Sequence, residues 1–117
     1  FLLESVELLK KVNDPVESLS FGQQKLLSIV CCIASKGKLI LLDEPTSGVA
    51  PEMVEKIIGI VREFQKENKS AIIIEHNIEV LMQICTRLIF MNAGAAICEG
   101  IPESVINDSR VIEAYIE

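Results

Sequence analysis

Two short apolar runs, each broken off by a pair of chemically loaded residues, constrain this chain more than anything else in it. Leu39-Ile40-Leu41-Leu42 runs into Asp43-Glu44-Pro45, and Ala71-Ile72-Ile73-Ile74 runs into Glu75-His76. Between them, Pro51 and Glu52 suit a helix start. Met53, Ile57, Ile60, Val61 and Phe64 then recur at helical spacing through about residue 67, with Lys56, Arg62, Glu63 and Lys66 on the other side. Strand, helix, strand in this order predicts an α/β sheet whose strands run parallel at least through residues 39–91. The continuous apolar runs predict strands covered on both faces. Ligands of such sheets bind beyond the carboxyl ends of the strands, where Asp43, Glu44, Glu75 and His76 stand.

The flanking segments fill in the order. Leu2, Leu3, Val6 and Leu9 predict one helical stripe over residues 2–11, stopped by Asn13-Asp14-Pro15. Residues 21–34 predict a buried helix, apolar nearly all round and ended by Gly37. A short helix over 78–85 follows the second strand. Residues 88–91 and 95–98 predict two strands joined through Asn92-Ala93-Gly94, and Pro102 to Ile116 two short helices.

Composition narrows the function. Half of the 117 residues are hydrophobic, which excludes a disordered tail. Eleven basic against 17 acidic residues give a net charge of −6, which argues against a nucleic-acid partner. No apolar run approaches the roughly 18 residues of a membrane span. Cys31, Cys32, Cys85 and Cys98 show no C-x-x-C spacing, so they read as reduced core thiols rather than a zinc site.

Three segments carry chemistry. Asp43 and Glu44 at a strand tip offer two acids with separate tasks, one holding Mg²⁺ and one orienting or deprotonating a water. Ser20 in Leu19-Ser20-Phe21-Gly22-Gln23 is a sound helix cap, and the free N–H groups behind it favour an anion. His76 is a donor that could reach a terminal phosphate. Each alone is commonplace: an acidic turn, a capped helix, a surface histidine. Their order and spacing together are not.

The series Leu19-Ser20-Phe21-Gly22-Gln23-Gln24-Lys25, Leu39-Ile40-Leu41-Leu42-Asp43-Glu44-Pro45-Thr46-Ser47-Gly48 and Ile72-Ile73-Ile74-Glu75-His76-Asn77 resembles the ATP-binding subunits of ABC transporters. There these are the signature motif, Walker B with its catalytic Glu, and the switch-histidine loop. The resemblance implies that Leu19, Ser20, Phe21, Gly22 and Gln23 meet the ATP held by an opposite subunit. It implies that Asp43 supports Mg²⁺, Glu44 polarises the attacking water and His76 contacts the γ-phosphate. Ser47, Gly48, Val49 and Ala50 fall in the D-loop. The tail, with Glu99-Gly100-Ile101-Pro102-Glu103 and Asn107-Asp108-Ser109-Arg110, is similar to branched-chain amino-acid importers and their urea and amide relatives.

The expected fold is therefore an incomplete P-loop NTPase core, a mainly parallel sheet flanked by helices with the P-loop strand missing. No G-x-x-x-x-G-K-[ST] occurs among the 117 residues. The missing strand would run between the strand ending at His76 and the one at 88–91, leaving a gap or unpaired edges. Residues 1–36 would be the end of the helical subdomain with the signature helix, and 37–117 the C-terminal half of the ATPase core. Phe1 stands inside an apolar pattern, as though the chain were cut from a longer one. Three positions depart from the family's habit: Ala50 for Asp or Asn, Cys31 for Arg, and Asn77 for Asp.

The implied function is that of a fragment of a cytoplasmic ATPase, peripheral on the inner face of the membrane, energising import of a small solute. The implied partners are a second ATP-binding subunit in a head-to-tail dimer and transmembrane permease subunits. The fragment alone is expected to be inactive and to self-associate through its incomplete sheet. Two other readings stand beside it: a non-catalytic ABC-like regulatory module, toward which Ala50 and Cys31 lean, and a soluble ABC ATPase.

Overall fold

A computed structural model describes residues 2–116, apart from the side chain of Ile116; the apolar start at Phe1 lies outside the described residues. The chain divides into two compact units, Phe1–His76 and Asn77–Glu117. The helix that follows Ser20 packs against the strand and helix that come after it.

In the first unit, α1 (Leu2–Ser5) is cut short. Glu7 takes a left-handed backbone, φ +58°, and the chain resumes as a single 3₁₀ turn at Leu9–Lys11. The expected continuous helix over 2–11 is thus not formed. Its stripe shifts accordingly: Val6 and Leu8 are buried, whereas Leu9 is exposed. The Glu7 carboxylate meets Lys56 Nζ at 2.7 Å, and that ammonium holds the Glu7 carboxyl below its ordinary range.

The long helix α2 (Phe21–Ala34) forms over the expected residues. Leu26, Ile29, Val30 and Ile33, spaced by three and four, make its buried face. It closes at Ser35, and Lys36 rather than Gly37 takes the left-handed backbone, φ +61°. The helix α3 (Pro51–Lys66) buries Ile57, Ile58, Ile60, Val61 and Phe64. Full burial of one such side chain stabilises by about 1.5–3 kcal/mol, so this face anchors the unit.

Strands β1 (Leu39–Asp43) and β2 (Ser70–Ile74) pair in parallel, with Leu41 opposite Ile72 and Asp43 opposite Ile74. They are not covered on both faces as expected. Ile40 and Leu42 are buried, while Leu41 is 67% and Ile74 61% exposed, together with Leu39 and Ile72. Since residues paired in register share a side, these four make one open apolar face.

In the second unit, Asn77 caps α4 (Ile78–Ile84), its Oδ1 accepting from the Glu79 and Val80 N–H groups. Strands β3 (Leu88–Asn92) and β4 (Ala95–Gly100) form the expected hairpin, with Ala93 and Gly94 at φ +46° and +80° in its turn. The register skips a residue between Phe90–Cys98 and Met91–Ala96, leaving Ile97 in a bulge. The Ile97 carbonyl accepts from Arg110 Nη1 at 2.9 Å. Helices α5 (Pro102–Ile106) and α6 (Ser109–Ile116) complete the tail.

A parallel sheet continuous through residue 91 is therefore corrected to two separate pairs, β1–β2 parallel and β3–β4 antiparallel. The hairpin closes over a two-residue turn and so wins its partner at little entropic cost. No strand among the described residues joins β2 to β3. The four cysteines are free, and they differ from the expected core thiols only in burial: Cys31 is exposed and none is fully buried. Burial still pushes the Cys85 thiol upward.

Candidate functional site

The site is built at the carboxyl ends of β1 and β2, within the first unit. Asp43, the last residue of β1, continues the alternation of Leu39 and Leu41 and so stands on the open, exposed face. Glu44 then leaves the strand with φ +44°. A left-handed backbone costs a residue with a Cβ about 1–2 kcal/mol, and several contacts hold it here. The Glu44 N–H donates to the Ile74 carbonyl at 2.8 Å, extending the strand pairing by one bond. Lys25 Nζ, one turn into α2, donates to the Glu44 carbonyl at 2.9 Å and the Ser47 carbonyl at 2.7 Å. Glu75 Oε1 accepts from the Thr46 N–H at 2.8 Å and from its hydroxyl at 2.5 Å. The other Glu75 oxygen, Oε2, is buried without a partner among the described residues.

This turn brings the Glu44 carboxylate to His76. Oε1 lies 3.8 Å from Nδ1, and both side chains are more than half exposed. An acid and an imidazole at the tips of neighbouring parallel strands can share a water between them or form an ion pair when the imidazole is protonated. Asp43, Glu44, Ser47 and Gly48 also line a cleft of about 430 Å³ with Phe21 and Lys25.

The start of α2 borders that cleft. Ser20 Oγ accepts from the Gln23 N–H at 3.3 Å, and Gln23 Oε1 accepts from the Ser20 N–H at 3.0 Å, a reciprocal cap. Gln23 is therefore turned back onto Ser20, whereas the Ser20 hydroxyl proton stays free to donate. Leu19 is buried and its carbonyl accepts from Gln24 Nε2. Phe21 is exposed and passes close to Gly48, where an added Cβ would lie 3.3 Å from the ring. Gly48 itself has φ +69°, so a side chain there would be strained twice over. Gly22 lets α2 approach α3, since a Cβ there would stand 3.2 Å from Met53 Cγ. Val49 touches the same point, and Ala50 opens α3 without a side-chain cap.

The structure thus brings Asp43, Glu44, Ser47, Gly48 and Phe21 around one cleft, with His76 against Glu44. Of the residues that brace them, Lys25 and Thr46 stand inside the motifs without a separate signal in the sequence, and Glu75 is marked there only by its place after the second strand. Their partners lie 19 to 29 residues away, beyond any local pattern.

The family description ABC transporter matches residues 1–47. Over 115 residues the chain is 30% identical to the high-affinity branched-chain amino acid transport ATP-binding protein BraF of Pseudomonas aeruginosa, covering 97% of this chain and 45% of that one. A solved ATP-binding cassette of an ABC transporter, MJ1267, superposes with a TM-score of 0.88 at 32% identity, over 99% of this chain. The chain belongs to the ABC transporter ATP-binding family. It spans 47% of the solved cassette, a little under half. Other members are equally similar: the energy-coupling factor transporter ATP-binding protein EcfA of Methanothermobacter thermautotrophicus is 34% identical over 110 residues, 94% of this chain and 35% of its own length. Among the described residues no helix is long and apolar enough to cross a membrane.

Proposed function

We propose that this ABC chain supplies the hydrolytic half of an ATP-binding cassette, one that energises uptake of branched-chain amino acids or a related small solute. The observation that carries the reading is the approach of Glu44 Oε1 to His76 Nδ1 at the ends of two parallel strands, with Asp43 beside them. Phosphoryl transfer asks mainly for positioning and charge stabilisation. Glu44 orients and deprotonates the attacking water, and His76 donates to the γ-phosphate. Asp43 is an exposed carboxylate at a strand end. It fits Mg²⁺, which takes one or two protein carboxylates and otherwise phosphate and water. Bound Mg²⁺ would supply charge neutralisation to the phosphates.

The Ser20 hydroxyl and the N–H groups beginning at Phe21 and Gly22 face the ATP of an opposite subunit, with Gln23 released from its cap on contact. Ser47 to Ala50 line the seam of that head-to-tail dimer. Transmembrane permease subunits are the other partners, and the assembly sits on the cytoplasmic face of the membrane. The amino-acid class of solute rests on the name of BraF and on the importer-like tail. Because no phosphate-gripping Lys loop occurs in the 117 residues, the chain alone does not turn over ATP. Calorimetric titration with Mg²⁺-ATP tests this: no saturable binding at micromolar concentrations is expected, and micromolar binding would favour a non-catalytic module with a site of its own.

A further inference from the structure

We propose that Lys25 is a positioning residue for Glu44, tying the carbonyl groups of Glu44 and Ser47 to α2 so that the start of that helix governs where the Glu44 carboxylate points. The inference rests on the role given to Glu44 above and adds a regulating contact to the same site. Three observations carry it. The Lys25 ammonium donates to two main-chain carbonyls that bracket the turn, at 2.9 and 2.7 Å. Glu44 stands in a left-handed backbone that needs outside support. From that backbone its carboxylate lies 3.8 Å from His76 Nδ1.

The bonds run from a charged donor to main-chain acceptors and are therefore stronger than neutral ones. The Glu44 N–H bond to Ile74 holds the peptide plane before Glu44 and the Lys25 bond holds the one after it, and the two planes together set the Cα–Cβ direction. Lys25 stands one helical turn from Phe21 and Gly22, and its Nζ lies 5.3 Å from the centroid of the Phe21 ring. A helix transmits a displacement of its first turn as a rigid body, so an anion drawn to the start of α2 shifts the Lys25 anchor and the turn it holds. The signature segment and the hydrolytic acid of one chain are thereby linked through a single side chain.

The chain contains one histidine, which makes its imidazole signal a direct reporter of the Glu44 carboxylate. The experiment is ¹H–¹³C NMR of that ring in the 117-residue chain and in three variants, with backbone amide spectra verifying the fold. Glu44→Gln moves the His76 resonances. Lys25→Met moves them in the same direction by a comparable amount, and Lys25→Arg, which keeps charge and donors, returns them. If Lys25→Met leaves them in place while Glu44→Gln moves them, the positioning role is overturned and the Glu44–His76 pairing stands. If Glu44→Gln moves nothing, the pairing itself fails and takes the proposal with it. Should Lys25→Met fail to fold, a hydrogen-bond coupling between Lys25 Nζ and the Glu44 or Ser47 carbonyl carbon in the unaltered chain supports the proposal. Its absence overturns it.

Discussion

Glu75 holds Thr46 twice, accepting from its N–H at 2.8 Å and its hydroxyl at 2.5 Å through one oxygen. The pair joins the end of β2 to the turn that follows β1, across 29 residues of chain. Thr46 is the buried member, and its two donors have no solvent to turn to. Glu75→Ala therefore destabilises by about 1–3 kcal/mol, the cost of stranding buried donors. Thr46→Val, which loses the hydroxyl but keeps the N–H bond, costs less, about 1 kcal/mol. Urea unfolding of the two variants checks both the size and the order.

Ala50 opens α3 with extended backbone, φ −63° and ψ 149°, and offers no acceptor to the first-turn N–H groups. The position has cap geometry without a cap side chain. Ala50→Asp is expected to stabilise by about 1 kcal/mol, through the cap bond and the favourable charge at the helix start. A raised urea midpoint with an unchanged slope would register it.

In the second unit, hydrogen bonds from the Arg110 side chain and N–H hold the Asp108 carboxyl down to about 2, from an ordinary 3.8. A depressed folded value contributes stability that is present above the unfolded value and lost as pH falls through the folded one. The tail therefore loosens between roughly pH 4 and pH 2. In Arg110→Met the Asp108 midpoint is expected near the ordinary value. Carboxyl ¹³C titration of both chains reads this directly, and the same variant frees the Ile97 carbonyl at the bulge.

Leu39, Leu41, Ile72 and Ile74 form the open face of a two-stranded sheet. Exposed apolar strands with free edges invite pairing between copies. The chain is expected to self-associate at micromolar concentration and above. Leu41→Lys with Ile72→Glu is expected to shift it toward monomer. Light scattering across a dilution series distinguishes the two chains.

The large elements were legible because their apolar spacing is local. Ile57, Ile60, Val61 and Phe64 fall on one side of any helix, and the turn Ala93-Gly94 closes any hairpin. Leu8 against Leu9 was not legible, since a single left-handed residue, Glu7, decides which turns inward. The exposure of Leu41 and Ile74 was hidden for a different reason. An uninterrupted apolar run predicts cover on both sides whether or not the described residues include the covering element. In the site, Asp43, Glu44 and His76 stood out by their place after the strands. Lys25 and Thr46 did not, and Glu75 stood after its strand with no task attached, because what they do is defined by partners 19 to 29 residues away in sequence, a separation no motif encodes.

The most direct test replaces the matched 47% of the solved cassette with these 117 residues and measures ATP hydrolysis by the chimera. With the phosphate-gripping half supplied, the chimera is expected to turn over ATP. Glu44→Gln should slow it by about 10²–10⁴-fold, the usual worth of a positioned general base, while ATP binding stays in place. A folded chimera that binds ATP and hydrolyses it equally well with Glu44→Gln would contradict the account.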